Sequence, residues 1–409
     1  MNANIIFLIF FSIAVLKPIN IPNINRYMGM GLLVLVSIWF FITVIKNYRH
    51  LVKNYAWQIA AVILFITVNA ISLITNLHRF ENLTLLVFYG LASFAVWLIF
   101  PMTWVIFQYN NLQKYRWIGW AVMVFIASVA LWQIIDMSAS WQLRQYFVAA
   151  DARYLITSVT RWHTIYGAIA AIIALVCLKQ VFTPTVDKAA KVFFLLLAIL
   201  SLYTGALGES RNFFFTLGVG LLAMSFTTIL KAPKTTIIIV ILTIIGTHWL
   251  VINNNRIAQD YGKVLPYISK LNQGKAITKQ DFIPKFNNHS MSGRLTFWQR
   301  GIKSWQQNPW LGIGAGSFRA SSNQKYFNLH NYYIQVLVDS GMIGMASFIL
   351  LLIFLMIKAY SAGNLAIFVA ILSSLVFDNY LDYSMGWVLC MVWLLKPVSS
   401  ESPTPKQML

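Results

Sequence analysis

The chain has 409 residues, 59% of them apolar and only 10% charged, against roughly 25% charged in a soluble domain. Apolar runs about 20 residues long recur throughout, which excludes a water-soluble globular fold and predicts an all-α, polytopic membrane protein. The formal net charge of +20 does not point to nucleic acid, because most basic residues sit in short turns between runs, where they set topology.

The runs cover residues 3–16, 28–45, 56–75, 83–107, 117–135, 163–182, 190–207, 211–230, 234–252, 330–357, 364–377 and 384–396. They predict about twelve transmembrane helices. The organisation is helices one to nine over 1–252, a periplasmic loop domain over 253–329, helices ten to twelve over 330–396 and a disordered cytoplasmic tail over 397–409. Residues 3–16 read as a first span rather than a cleaved signal, because no basic residue precedes them. Placing the N-terminus in the cytoplasm puts thirteen Lys and Arg in inner segments and seven in short outer loops. By parity the long loop then lies outside. The connection from Asp136 to His163 reads as an interfacial segment anchored by Trp141, Tyr146 and Trp162.

Cys177 and Cys390 both lie in apolar runs, so neither a disulfide framework nor a zinc motif can be built. The outer carboxylates (Glu81, Asp136, Asp151, Glu209, Asp260, Asp281, Asp339, Asp378 and Asp382) are scattered, which gives a divalent-metal site only weak support.

Residues 253–329 form the one long polar stretch. They carry eleven Lys and Arg against Asp260 and Asp281, an excess that suits an anionic partner at the membrane surface. Within them Leu295, Trp298, Ile302 and Trp305 predict one packed face of a helix from about Ser292 to before Pro309. The Gly312-x-Gly314-x-Gly316 turn lacks the Lys-Ser/Thr of a nucleotide loop, so close backbone packing is the better reading. Arg211 and His330 are both expected at the outer N-termini of inward-running helices, where unpaired N–H groups favour anions. Arg211 suits phosphate, with a snorkelling Arg paired to Glu209 as the equal alternative. A lone His330 is a weak candidate, but one able to accept a proton.

Taken together, Ser292-Gly293-Arg294-x-x-x-Trp298, Asn308-Pro309-x-Leu311-Gly312-x-Gly314-x-Gly316-x-Phe318, His330-Asn331, Gly341-x-x-Gly344 and the earlier Ser210-Arg211 resemble the O-antigen ligase/polymerase superfamily. The resemblance spans about residues 190–395. Asp339 departs from it, standing where many members have Glu. Within the superfamily the layout is most similar to the ligases.

The resemblance implies inverting, metal-independent glycosyl transfer with no cofactor and no nucleotide. The donor would be O-antigen on undecaprenyl pyrophosphate and the acceptor the lipid A–core oligosaccharide. The enzyme would be multi-pass in the bacterial inner membrane, its active site facing the periplasm. Arg211 and Arg294 would be catalytic and hold the donor, His330 would be the base, and Arg300 and Arg319 would be peripheral substrate-binding charges. The same resemblance admits an O-antigen polymerase or a protein O-oligosaccharyltransferase. A lipid-linked glycan flippase or transporter is the non-enzyme alternative, and it would place polar or broken helices at mid-membrane.

Overall fold

The computed structural model describes residues 59–81, 116–139, 163–208, 210–228, 291–321 and 329–377, with isolated positions between 42 and 57 and at 86, 90 and 241. Among these residues every regular element is helical: α1 (Ile59–Thr75), a 3-10 turn (Leu77–Arg79), α2 (Arg116–Ala139), α3 (His163–Phe182), α4 (Lys188–Leu207), α5 (Arg211–Thr228), α6 (Met291–Gln307), α7 (Ser317–Ser321), α8 (Tyr332–Ser361) and α9 (Leu365–Ser374). Three of them (Thr164–Phe182 within α3, α4 and α8) are long and apolar enough to cross a membrane, and α1, α5 and α9 contribute shorter apolar stretches. The runs predicted at 3–16, 28–45, 234–252 and 384–396, most of 83–107, the connection over 140–162, loop residues 253–290 and the tail lie outside the described residues. So do Glu209, Asp378 and Asp382.

The axis of the bundle is α3. Its Ala-rich sequence presents little side chain in any direction, and α4, α5 and α9 close around it. Apolar helices in lipid gain little from hydrophobicity alone, so close approach through small residues does more. Gly205 of α4 lies under the Phe213 ring of α5, Gly167 of α3 faces Ser210, and Gly220 of α5 receives Leu175. A Cβ at any of the three would overlap its neighbour. At the far end Lys179 donates to the Gly363 carbonyl (2.6 Å) and to Asn364, tying α3 to the turn between α8 and α9.

The run at 330–357 is not the single straight span that the sequence predicts. Gly341 has φ 66° and ψ −165°, breaking α8 into a limb of residues 332–340 and another of 342–361. The limbs fold back on each other. Tyr332 and Phe348 have ring centroids 5.8 Å apart, whereas sixteen residues of straight helix would separate them by about 24 Å. Hydropathy is blind to this, because both limbs are apolar and only the glycine marks the turn. α2 also corrects an expectation. It runs on through Ala139, and Asp136 is buried within it rather than opening an outer loop.

Candidate functional site at the hairpin of α8

The apex of the α8 hairpin is held by backbone from the Gly312 turn. Breaking a helix orphans carbonyls on one side and N–H groups on the other, and residues 309–314 satisfy both. Ile313 and Gly314 donate to the carbonyls of Val338 (2.9 Å) and Asp339 (3.0 Å), while Met342 and Ile343 donate to those of Pro309 (2.8 Å) and Trp310 (3.2 Å). Gly312, Gly314 and Gly316 all have positive φ. The reading of this turn as close backbone packing is borne out. The Ile313 and Gly314 N–H groups are already bonded and do not face a phosphate.

Polar side chains complete the junction. Ser340 donates to Asn69 (2.7 Å) and Ser72 to the Asp339 carbonyl (2.7 Å). The Asn76 amide donates to the carbonyls of Ser72 (2.8 Å) and Gly312 (3.3 Å), and its Oδ1 accepts from Arg79 (3.0 Å) and Asn308 (3.4 Å). The Asp339 carboxylate accepts from Gln335 (2.9 Å), whose own Oε1 accepts from the Leu329 N–H (3.2 Å). None of these residues was expected at a site. Their signal was present: Asn69, Ser72 and Asn76 form a polar stripe on an apolar helix, and Gln335 and Asp339 stand one turn apart.

From the apex the short limb leads back to His330. Among the described non-glycine residues, His330 has the one positive φ, 50°, a conformation costing an L-residue about 1–2 kcal/mol. Asn331 then caps the limb, its Oδ1 accepting from the Ile334 N–H (3.0 Å). The Tyr332 N–H donates to the Leu375 carbonyl (2.9 Å) and the Tyr333 hydroxyl to that of Leu372 (2.8 Å), which sets His330 beside the end of α9. The limb therefore climbs from His330 toward the apex. His330 directly precedes a helix N-terminus, as expected, but the helix is the short limb that ends at Gly341 rather than a full-length span.

α6 lies along this limb. Trp298 Nε1 donates to the Leu329 carbonyl (2.8 Å), and the Phe297 ring lies 6.2 Å from that of His330. Arg294 is one turn before both on the same face, which places it at the His330 level. The predicted face holds at Trp298 and Trp305, which pack against Ile313, Phe318, Leu329 and Val338, and departs at Ile302, while the Leu295 side chain lies outside the described residues. Gly301 is buried against Leu329 and Val338, while Ile302 is exposed. A glycine lets α6 approach closely, so it, rather than the larger Ile302, takes the contact position.

Arg211 opens α5 as expected. It is half-buried and flanked by Ser210 and Asn212, whose Oγ and Nδ2 are buried without a hydrogen-bond partner among the described residues. Phe215, one turn on, packs on Phe377 (4.8 Å), just beyond the α9 end that receives Tyr332. Arg211 and His330 thus lie toward the same end of the bundle, by the end of α9, and Arg294 is one turn before the α6 residues that meet Leu329 and His330. Arg300 is exposed on the far side of α6, and Arg319 lies on α7 with its side chain outside the described residues. Among the described residues no three of His, Cys, Asp and Glu are close enough to hold a metal ion.

Residues 154–349 match the model of the family described as O-antigen ligase. The chain carries an O-antigen ligase family domain. No curated protein matches it. The O-antigen ligase match starts upstream of the expected 190 and ends short of 395. It holds all five predicted site residues and the whole apex, while Asn69, Ser72 and Asn76 lie outside it. It supports an enzyme role of O-antigen ligase or polymerase type in a membrane, within lipopolysaccharide biosynthesis.

Proposed function

We propose that this chain is the glycosyltransferase that moves O-antigen from undecaprenyl pyrophosphate to the lipid A–core oligosaccharide at the periplasmic face of the inner membrane. The observation that carries the reading is the grouping of Arg211, Arg294 and His330 at one end of the bundle inside an O-antigen ligase domain. The end opposite carries Lys179, Lys188 and Lys191, the charge bias of a cytoplasmic face. The twelve-span layout with an outer loop over 253–329 is retained as part of this proposal.

In the reaction, the acceptor hydroxyl attacks the anomeric carbon of the donor sugar from the face opposite the phosphate. The bond from that carbon to the phosphate oxygen breaks, and its electron pair leaves with the pyrophosphate, which inverts the centre. His330 takes the proton from the hydroxyl. Arg211 and Arg294 stabilise charge growing on the departing phosphate. Pyrophosphate is already a good leaving group, so charge stabilisation suffices where an acid would otherwise be needed. No metal or nucleotide enters these steps.

α8 is a broken helix, a feature associated with transporters. Its break, however, lies level with Ser72 and Asn76 at the end of α1 rather than at mid-span, which favours surface chemistry. The deciding experiment is the lipopolysaccharide banding pattern of a strain lacking this protein, with its lipid-linked glycan pool measured alongside. Loss of capped lipopolysaccharide with accumulated long lipid-linked chains supports the ligase. Capping by a single repeat indicates the polymerase, and an unchanged pattern overturns both.

A further inference from the structure

The apex of the α8 hairpin is packed tightly inside yet apolar outside. Trp310, whose carbonyl is held by Ile343, leaves 63% of its surface exposed. Met342 and Ile343 beside it are also exposed, and so is Leu77 on the neighbouring 3-10 turn. Arg79 reaches from that turn to Asn76. Tryptophan and arginine flanking an apolar surface are what a membrane–water boundary selects.

The length of α8 fixes the level. Residues 342–361 rise about 30 Å, which is about the thickness of a bilayer's hydrocarbon core. Their outer face is continuous with the apex: Ile349, Ile353 and Ile357 are exposed along it. The opposite end is marked by Lys179 on the Gly363 carbonyl, a cation at the other boundary.

We infer that the apex is a lipid-docking element, with the Trp310 indole inserted at the outer interface of the bilayer. The level of His330 and Arg211 follows from that. Tyr332 packs beside Phe348, seven residues down the long limb, and therefore lies about 10 Å below the apex. The α9 limb agrees, since Leu375, which receives the Tyr332 N–H, stands about 16 Å above Asn364. The candidate site is thus placed beneath the interface that Trp310 marks, within reach of lipid headgroups.

The test does not depend on the reaction. Full-length protein is placed in nanodiscs with or without phosphatidylcholine brominated near the top of its acyl chains. The emission that Trp310 contributes is taken as the difference between wild type and Trp310→Phe. Lipid bromine should remove most of that difference, and aqueous iodide little of it. Quenching by iodide equal to or greater than quenching by bromine overturns the inference. Should Trp310→Phe fail to fold, bimane on Met342→Cys, with Cys177 and Cys390 replaced by Ser, is read by the same two quenchers with the same criterion.

Discussion

At the residue scale, His330 joins a strained backbone to the side chain proposed as the base, and the two can be separated by mutation. Asn tolerates the left-handed region better than most residues but offers no base. His330→Asn should keep the melting temperature near that of wild type while lowering glycosyl transfer by roughly 10²–10⁴-fold, the usual contribution of a general base. Near wild-type transfer by this variant, at normal membrane level, would make His330 structural. Arg211→Lys should recover only part of the transfer lost in Arg211→Ala, because a point charge cannot present the planar fork of guanidinium donors. Full recovery would leave Arg211 with no role beyond its charge. Arg300 is exposed, so any loss in Arg300→Ala should shrink as ionic strength rises. A loss independent of salt would mean a direct contact with substrate.

At the scale of elements, the α8 hairpin makes its own prediction. A Cβ on Gly341 would overlap the Trp310 carbonyl, and the φ of 66° is unfavourable for alanine. Gly341→Ala should therefore cost more than the backbone term of about 1–2 kcal/mol, and transfer should fall although no site residue changes. Gly218 of α5 is the control, since nothing lies within 4 Å of a Cβ built there. Gly218→Ala should stabilise the helix by roughly 0.5–1 kcal/mol. Thermal unfolding in nanodiscs reads both, and equal melting temperatures for the two variants would remove the hairpin argument. The contrast with the sequence reading is instructive here. α3 was legible to the residue, because an apolar run closed by His163 and Lys179 has little else it can form. α6 was legible as a helix and its face at Trp298 and Trp305, but not at Ile302, where Gly301 takes the contact by proximity rather than bulk. The fold-back of α8 was not legible. Hydropathy reports the solvent a segment prefers and not its direction, and the partners that hold the turn, Ser72 and Asn76, lie more than two hundred residues upstream.

At the scale of the whole molecule, the hairpin leaves the parity of crossings intact. On the proposed topology, residues 332–340 stay on the side of the apex, and residues 342–361 are long enough to traverse. The prediction for orientation therefore stands as argued from charge. A cysteine at Val186, beside Lys188 and Lys191, should label only from the cytoplasm, and a reporter fused after Lys285 should be active only in the periplasm. The opposite result for either would invert the molecule and separate the candidate site from any periplasmic substrate. The short limb also has a consequence for biogenesis. With nine residues, 332–340 is too brief for the insertion machinery to accept as a span, so it cannot be threaded to its final depth during synthesis. On the proposed topology it would be drawn in after the long limb is seated, when the Gly312 turn can clasp the apex. Closure of the hairpin would then be the step that completes the candidate site. A chain can be inserted with every crossing correct and still be inactive until that final closure.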